Sequence, residues 1–227
     1  MKGYGQFCPV AQALEIIGER WTLLIVRELS VGSHRFNDIH RGVPLMSRTM
    51  LSQRLKSLEE AGIVERVKSG RSHEYHLTPA GEELEPIVMQ CGAWGQRWAR
   101  RDVDGDDLDA GLLMWDMRRN IHLDALPPGR TVIELRLLGA KRGKGRFWLV
   151  LRDGDVDLCI KHPGFDVDLK VRCSLRLMTQ IWLGDVPIER AIRSEKLELQ
   201  GPTKLARAFP KWLKLNSLAG VERPAAE

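Results

Sequence analysis

Leucines recur three and four residues apart in the stretch SRTMLSQRLKSLEEAGIVERV, residues 47–67. Leu51, Leu55 and Leu58 share one helical face, and Thr49, Ser52, Gln53 and Lys56 share the opposite one. Ser47 has the side chain of an N-cap, and Gly62 is placed to close the helix after about Ala61. The same periodicity predicts helices in PVAQALEII, stopped by Gly18, in RWTLLIVREL, followed by Gly32, and in RFNDIHRG, ending at Gly42. After Gly62 the period changes. IVERVK and HEYHL read as two short strands around the polar, basic turn SGRS. TPAGEELEP then opens another helix, whose apolar positions Leu84, Ile87, Val88, Cys91, Trp94 and Trp98 keep helical spacing.

The acidic segment RDVDGDDLDAG breaks this pattern and marks a domain boundary. Asp102, Asp104 and Asp106 alternate as in a calcium loop, but Asp107 and Leu113 stand where the loop needs its glycine and closing acid. A solvated linker or helix cap is the expected reading. Beyond it, LLMWDMRRNIHLDAL reads as a helix ending at Pro127. Four strand-like runs follow, TVIELRLL, RFWLVLR, VDLCIKH and VDLKVRCS, separated by turn signals, and predict an antiparallel meander. Val167, Leu169, Val171 and Cys173 share one face of the last. Two helices, a short strand LELQG, and a last helix interrupted at Pro210 complete the chain. The expected class is α+β: a winged helix-turn-helix over 1–101, then a smaller antiparallel-sheet-plus-helices domain over 108–218.

Composition narrows the function. With 43% hydrophobic and 29% charged residues the chain suits one or two globular domains. It has no apolar run of about 20 residues, so no membrane span is expected. The N-terminus lacks a secretory pattern, which predicts a cytoplasmic location. The net charge of +5 permits nucleic acid as a partner. Its distribution is more informative: Ser30–Ser57 carries five Arg or Lys against Asp38 alone, whereas Asp102–Asp116 has six Asp and no base. The four cysteines show no zinc spacing, and Cys159 and Cys173, read on neighbouring strands with opposite faces, are not paired. No metal ligand set or cofactor motif is found. No nucleophile elbow, phosphate loop after a strand or HExxH is present, so an enzyme is not expected.

Three helices followed by a hairpin are the parts of a winged helix, and the leucine-striped helix occupies the place of the element that enters the major groove. Gln pairs with adenine, Arg and Lys with guanine or phosphate, and Ser and Thr with either. The expected DNA-contacting residues are therefore Ser47, Arg48, Thr49, Ser52, Gln53, Arg54 and Lys56, with Arg71 and Ser72 in the wing. Arg48 and Arg54 flank the two faces and are expected to reach phosphates. The alternative is a surface helix with a solvated face. His73 and His76 on the wing strand are expected to pack or to meet phosphate.

The segments CPVAQALEIIGERWTLLIVREL, RFNDIHRGVPLMSRTMLSQRLKSLEEAGIVERV and EYHLTPAGEELEPIVMQCGAWG together resemble an HxlR-type winged-helix transcriptional regulator over about residues 7–98. The resemblance implies a dimer on a near-palindromic operator. It makes Ser47–Lys56 the recognition helix, 69–72 the wing tip, and residues 82–100 part of the dimer contact, with Leu84, Ile87, Cys91, Trp94 and Trp98 as its stripe. The wing VKSGRSHEYHL lacks the aromatic and prolines that the family often carries before the EY strand. Cys8, just before Pro9, matches a cysteine that senses oxidants or electrophiles in some members. A helix N-terminus can lower a thiol pKa; a small buried residue is the alternative.

The second half resembles a sterol-carrier-protein-like domain, which implies helices packed on a curved sheet around an apolar cavity. Phe147, Leu149 and Leu151 alternate with apolar Trp148 and Val150, so that strand is expected to be interior. With Met178 and Trp182 those three would line a pocket for a hydrophobic effector; a packed core uses the same residues. The basic turn AKRGKGR is expected to be a solvated loop that adds nonspecific phosphate attraction. The combined expectation is a homodimeric, sequence-specific DNA-binding regulator with an effector-type second domain. The alternative is a lipid-binding or carrier protein whose winged helix mediates protein contacts.

Overall fold

The computed structural model describes residues 3–99, 108–141 and 143–222, and divides into two compact units, 1–95 and 96–227. The expected calcium-like positions Asp102, Asp104 and Asp106, and Arg100 at the end of the expected dimer contact, lie outside the described residues.

In the first unit, α1 (Pro9–Ile17), α2 (Thr22–Ser30), α3 (Phe36–Gly42) and α4 (Arg48–Glu60) precede the hairpin β1 (Val64–Ser69) and β2 (Ser72–Leu77). Ile25, Val26 and Leu29 of α2, Ile39 of α3 and Leu51, Leu55 and Leu58 of α4 form one buried cluster, closed by Ile63 and Val64. Ser47 caps α4, its hydroxyl accepting the Met50 amide at 3.2 Å. Gly62, at φ +71°, takes the left-handed conformation that ends the helix. The hairpin turns on Gly70 and Arg71, with positive φ at Gly70 only, as a two-residue turn with glycine first requires.

The helix expected from residue 79 onward is divided. α5 (Pro79–Glu82) stops, α6 (Glu85–Trp94) restarts, and a π-helical turn spans Gly95–Ala99. Pro86 explains the break: its ring has no amide proton and would clash with the carbonyl four residues back, so it is tolerated only in a new first turn.

In the second unit, α7 (Ala110–Arg119) leads to β3 (Arg130–Leu138), β4 (Arg146–Arg152), β5 (Asp155–Cys159), β6 (Leu169–Ser174), α8 (Leu175–Trp182), α9 (Ile188–Arg193), β7 (Leu197–Gln200) and α10 (Thr203–Trp212). The sheet order is β5-β4-β3-β6-β7. The expected meander holds for β3, β4 and β5 and fails at β6, which crosses back and pairs parallel with β3. Asp168 fixes that pairing. Its amide donates to the Val132 carbonyl at 2.9 Å, and its carboxylate accepts the Val132 amide at 2.8 Å. Cys159 and Cys173 are therefore separated by two intervening strands, β4 and β3, rather than lying on neighbouring strands.

Two further boundaries differ from expectation. α7 ends at Arg119 instead of continuing to Pro127, because the chain there bridges to the C-terminal segment: His122 donates to Trp212 and Lys214 to Asn120, at 2.8 and 2.9 Å. α10 runs through Pro210 to Trp212. The proline lies in the last turn, where it removes one bond, and buried Phe209 and Trp212 anchor the helix around it.

Candidate nucleic-acid interface

The apolar face of α4 is consumed by the core, and Thr49, Ser52, Gln53 and Lys56 project from the other side, all exposed. The flanking arginines are more constrained than the sequence suggests. Arg54 is turned toward the end of α1, where its guanidinium meets the Glu19 carboxylate at 2.9 Å, and is only 19% exposed. Arg48 lies over the Phe36 ring at 5.2 Å and donates to Asn37 at 2.6 Å, both at the start of α3. These contacts hold α4 against α1 and α3. Lys56 makes only a loose surface pair with Glu60, at 3.6 Å.

Arg71 and Ser72 are exposed at the wing turn. The wing is tied to the segment before α3: the Tyr75 amide donates to the His34 carbonyl at 2.8 Å, and Arg35 forms an isolated bridge with Glu74. Hydrogen bonds from Arg35 and Ser69 hold the Glu74 carboxyl below its ordinary pKa. His76 stacks on His34 with ring centres 4.2 Å apart, and His73 accepts from Arg66. Among the described residues no cluster of three or more His, Cys, Asp or Glu could hold a metal ion.

The stripe from Leu84 to Trp98 splits in two. Leu84, with Val88, packs on the core of its own unit. Ile87, Cys91, Trp94 and Trp98 are exposed, the two tryptophans by 60 and 64%. On α1, Val10 and Leu14 are exposed as well. Cys8 is half-buried at the N-cap of α1, its side chain making no cap hydrogen bond.

In the second unit Phe147, Leu149, Leu151, Met178 and Trp182 come together, all in one buried cluster between the sheet and the helices. Trp148 and Val150 are buried on the opposite face of β4, as an interior strand requires. A largely apolar hollow of about 660 Å³ lies elsewhere, beside β7, where Ile192, Leu197, Leu199, Ala206 and Pro210 line it together with polar residues that include Glu195 and Arg207. Its residues were missed in the sequence because they belong to three separate elements. No described helix is long and apolar enough to cross a membrane.

A buried leucine-striped helix with a free polar face, followed by a hairpin clamped beside it, defines a winged helix-turn-helix protein. The family of HxlR-like helix-turn-helix proteins matches residues 16–103, and that of SCP-2 sterol transfer proteins matches 119–214. An HTH-type transcriptional regulator of Bacillus subtilis, YvaP, is 38% identical over 97 residues, 41% of this chain and 90% of that protein. One of Mycobacterium bovis is 42% identical over 97 residues, 40% of this chain but 60% of its own length. The redox regulator HypR in its oxidized form is 38% identical, with 42% of this chain and all of that one covered, at a TM-score of 0.39. The chain belongs to the HxlR-like helix-turn-helix family, with an SCP-2-like segment following the helix-turn-helix.

Proposed function

We propose that the protein is a homodimeric transcriptional regulator that binds a near-palindromic DNA operator through α4 and the wing. The observation that carries this reading is the polar face Thr49, Ser52, Gln53 and Lys56, left free by a helix whose other face is fully committed to the core. Those side chains are of the kind that read base edges in the major groove, while Arg71 is a phosphate neutraliser. The exposed apolar positions of α6 and α1 supply a surface for a second copy, and two recognition helices would then meet half-sites one DNA turn apart.

Sequencing the DNA fragments retained by the purified protein, then titrating the recovered site, tests this. Gln53→Ala should relax base preference at a cost of roughly 1–3 kcal/mol. Arg71→Ala should weaken all sequences alike and reduce the salt slope by about one. Indistinguishable binding of operator and random DNA by wild type and both variants would remove α4 from the groove.

A second reading concerns the SCP-2-like segment. The apolar hollow beside β7 favours a hydrophobic small molecule as effector, or, if DNA is not bound at all, a lipid carrier. An effector must bind the two DNA-binding states with different affinity, because equal affinity shifts nothing. Titrating an apolar ligand against tryptophan fluorescence, then repeating the DNA titration at saturating ligand, separates regulator from carrier. Cys8 as an oxidant or electrophile sensor is a further proposal; operator affinity that responds to diamide in wild type but not in Cys8→Ser would support it.

A further inference from the structure

The face of the five-stranded sheet opposite its main apolar cluster carries, at the Arg136 end of β3, an arrangement that neither DNA reading nor apolar ligand binding uses. In the registered sheet Arg146 of β4 faces Arg136 of β3, Arg136 faces Arg172 of β6, and Arg172 faces Glu198 of β7. Three arginines thus stand side by side on three adjacent strands, on the face opposite core residues Leu135, Leu137, Phe147, Val171 and Cys173. Strands lie about 5 Å apart, so the row spans roughly 10 Å. Each side chain is about half exposed, at 50, 51 and 50% for Arg136, Arg146 and Arg172. The next row along the strands places Trp148, Glu134, Lys170 and Gln200 in register.

The charges do not balance. Glu134 is buried, and one of its carboxylate oxygens accepts from both Arg136, at 2.5 Å, and Arg146, at 2.9 Å. Glu198 answers Arg172 at 3.2 Å. Within these two rows, among the described residues, four cations, the three arginines and Lys170, therefore face two carboxylates, a local surplus of two positive charges, with Lys141 and Lys144 in the adjoining hairpin loop. Like charges directly opposite one another across strands are destabilising, and an anion would relieve that cost. Next to the row is a hollow of about 320 Å³, lined by Arg136, Leu138, Lys170, Val171, Arg172 and Gln200.

We propose that this face binds a small anion made of linked phosphate groups, such as a free polyphosphate or the polyphosphate chain of a nucleotide. Guanidinium forks match phosphate oxygens bidentately, and one isolated anion cannot span the row, whereas two or three linked phosphates can. The hollow is near the lower end of small-molecule pocket volumes, which suits a short chain of phosphates.

Isothermal titration of the full chain with inorganic tripolyphosphate, at constant ionic strength, tests the site. Saturable binding is expected, reduced roughly tenfold in Arg172→Gln and in Lys170→Gln, and unchanged in Gln53→Ala. Thermal melts check the folding of each variant. Should Arg172→Gln melt early, Lys170→Gln, which leaves the ion pairs of the face intact, carries the test. Absence of saturable binding, or equal affinity in wild type and both variants, overturns the proposal. So does loss of duplex DNA affinity in Lys170→Gln without any tripolyphosphate binding, which would make the face a nucleic-acid contact.

Discussion

Gly42 illustrates how a residue's role depends on what approaches it. In sequence it reads as a helix stop, yet its φ is not positive. Glu28 of α2 is fully buried and presses on it: a Cβ at position 42 would lie 1.9 Å from the Glu28 carboxyl carbon. Arg27 bridges the two, donating to Glu28 at 2.8 Å and to the Gly42 carbonyl at 3.0 Å. Gly42→Ala must displace a buried ion-paired carboxylate. It should destabilise the protein by about 1–3 kcal/mol, measured by urea denaturation; a variant as stable as wild type would show that Glu28 can move freely. The cysteines sort by the same logic. Burial pushes the Cys173 thiol up to about 12, so at neutral pH it should resist iodoacetamide until the protein unfolds. Modification of Cys173 at the rate of an exposed thiol in the native state would contradict its placement.

Among the elements, β6 is the one whose partner the alternation pattern cannot specify. Leu169, Val171 and Cys173 mark a buried face, which the strand would present equally in a meander or beside β3. The choice lies with Asp168, which brackets Val132 with two hydrogen bonds at the start of the parallel ladder. Asp168→Ala removes the side-chain bond and leaves the Val132 amide without that acceptor. A loss of about 1–2 kcal/mol in thermal or urea unfolding is expected, and Asp168→Asn, which keeps an acceptor oxygen, should recover part of it. No loss in the alanine variant would mean that the backbone ladder alone sets the register. α6 offers a similar lesson: its stripe is uniform in sequence, but Leu84 and Val88 turn inward while Ile87, Cys91 and Trp94 remain outside.

For the molecule as a whole, the expected consequence of that exposed stripe is association. Wild type should sediment as a dimer and Trp94→Asp as a monomer, and Cys91, exposed in the single chain, should alkylate faster in the variant. An unchanged dimer with equal Cys91 reactivity would exclude this interface. Acid stability is a second global property. Burial alone would raise the Glu134 pKa, but hydrogen bonds from Arg146 and Arg136 outweigh it and leave the group below its ordinary 4.5. A depressed folded-state pKa contributes stability that is present above pH about 4.5 and is lost as pH falls through the lower folded value. The melting difference between wild type and Glu134→Gln should therefore shrink below that pH; a constant difference from pH 6 to 3 would deny Glu134 this role.

What the sequence determined is what repeats locally. The heptad-like leucines, Ser47 and Gly62 define α4 and hence which side chains it leaves free, and the two-residue turn after Ser69 defines the wing. Helical period, capping chemistry and turn conformation act within a few residues, so they are written in adjacent positions. The tertiary structure decided everything that depends on distant partners. Arg54 answers Glu19 across 35 positions, β6 joins β3 instead of extending the meander, and α7 yields to a bridge between Ile121 and Leu213. The row of Arg146, Arg136 and Arg172 exists only because three strands align in register, and no single strand signals it. Spacing along a chain constrains which face a residue takes, whereas the neighbour on that face is set by which strands and helices can bury their apolar sides together.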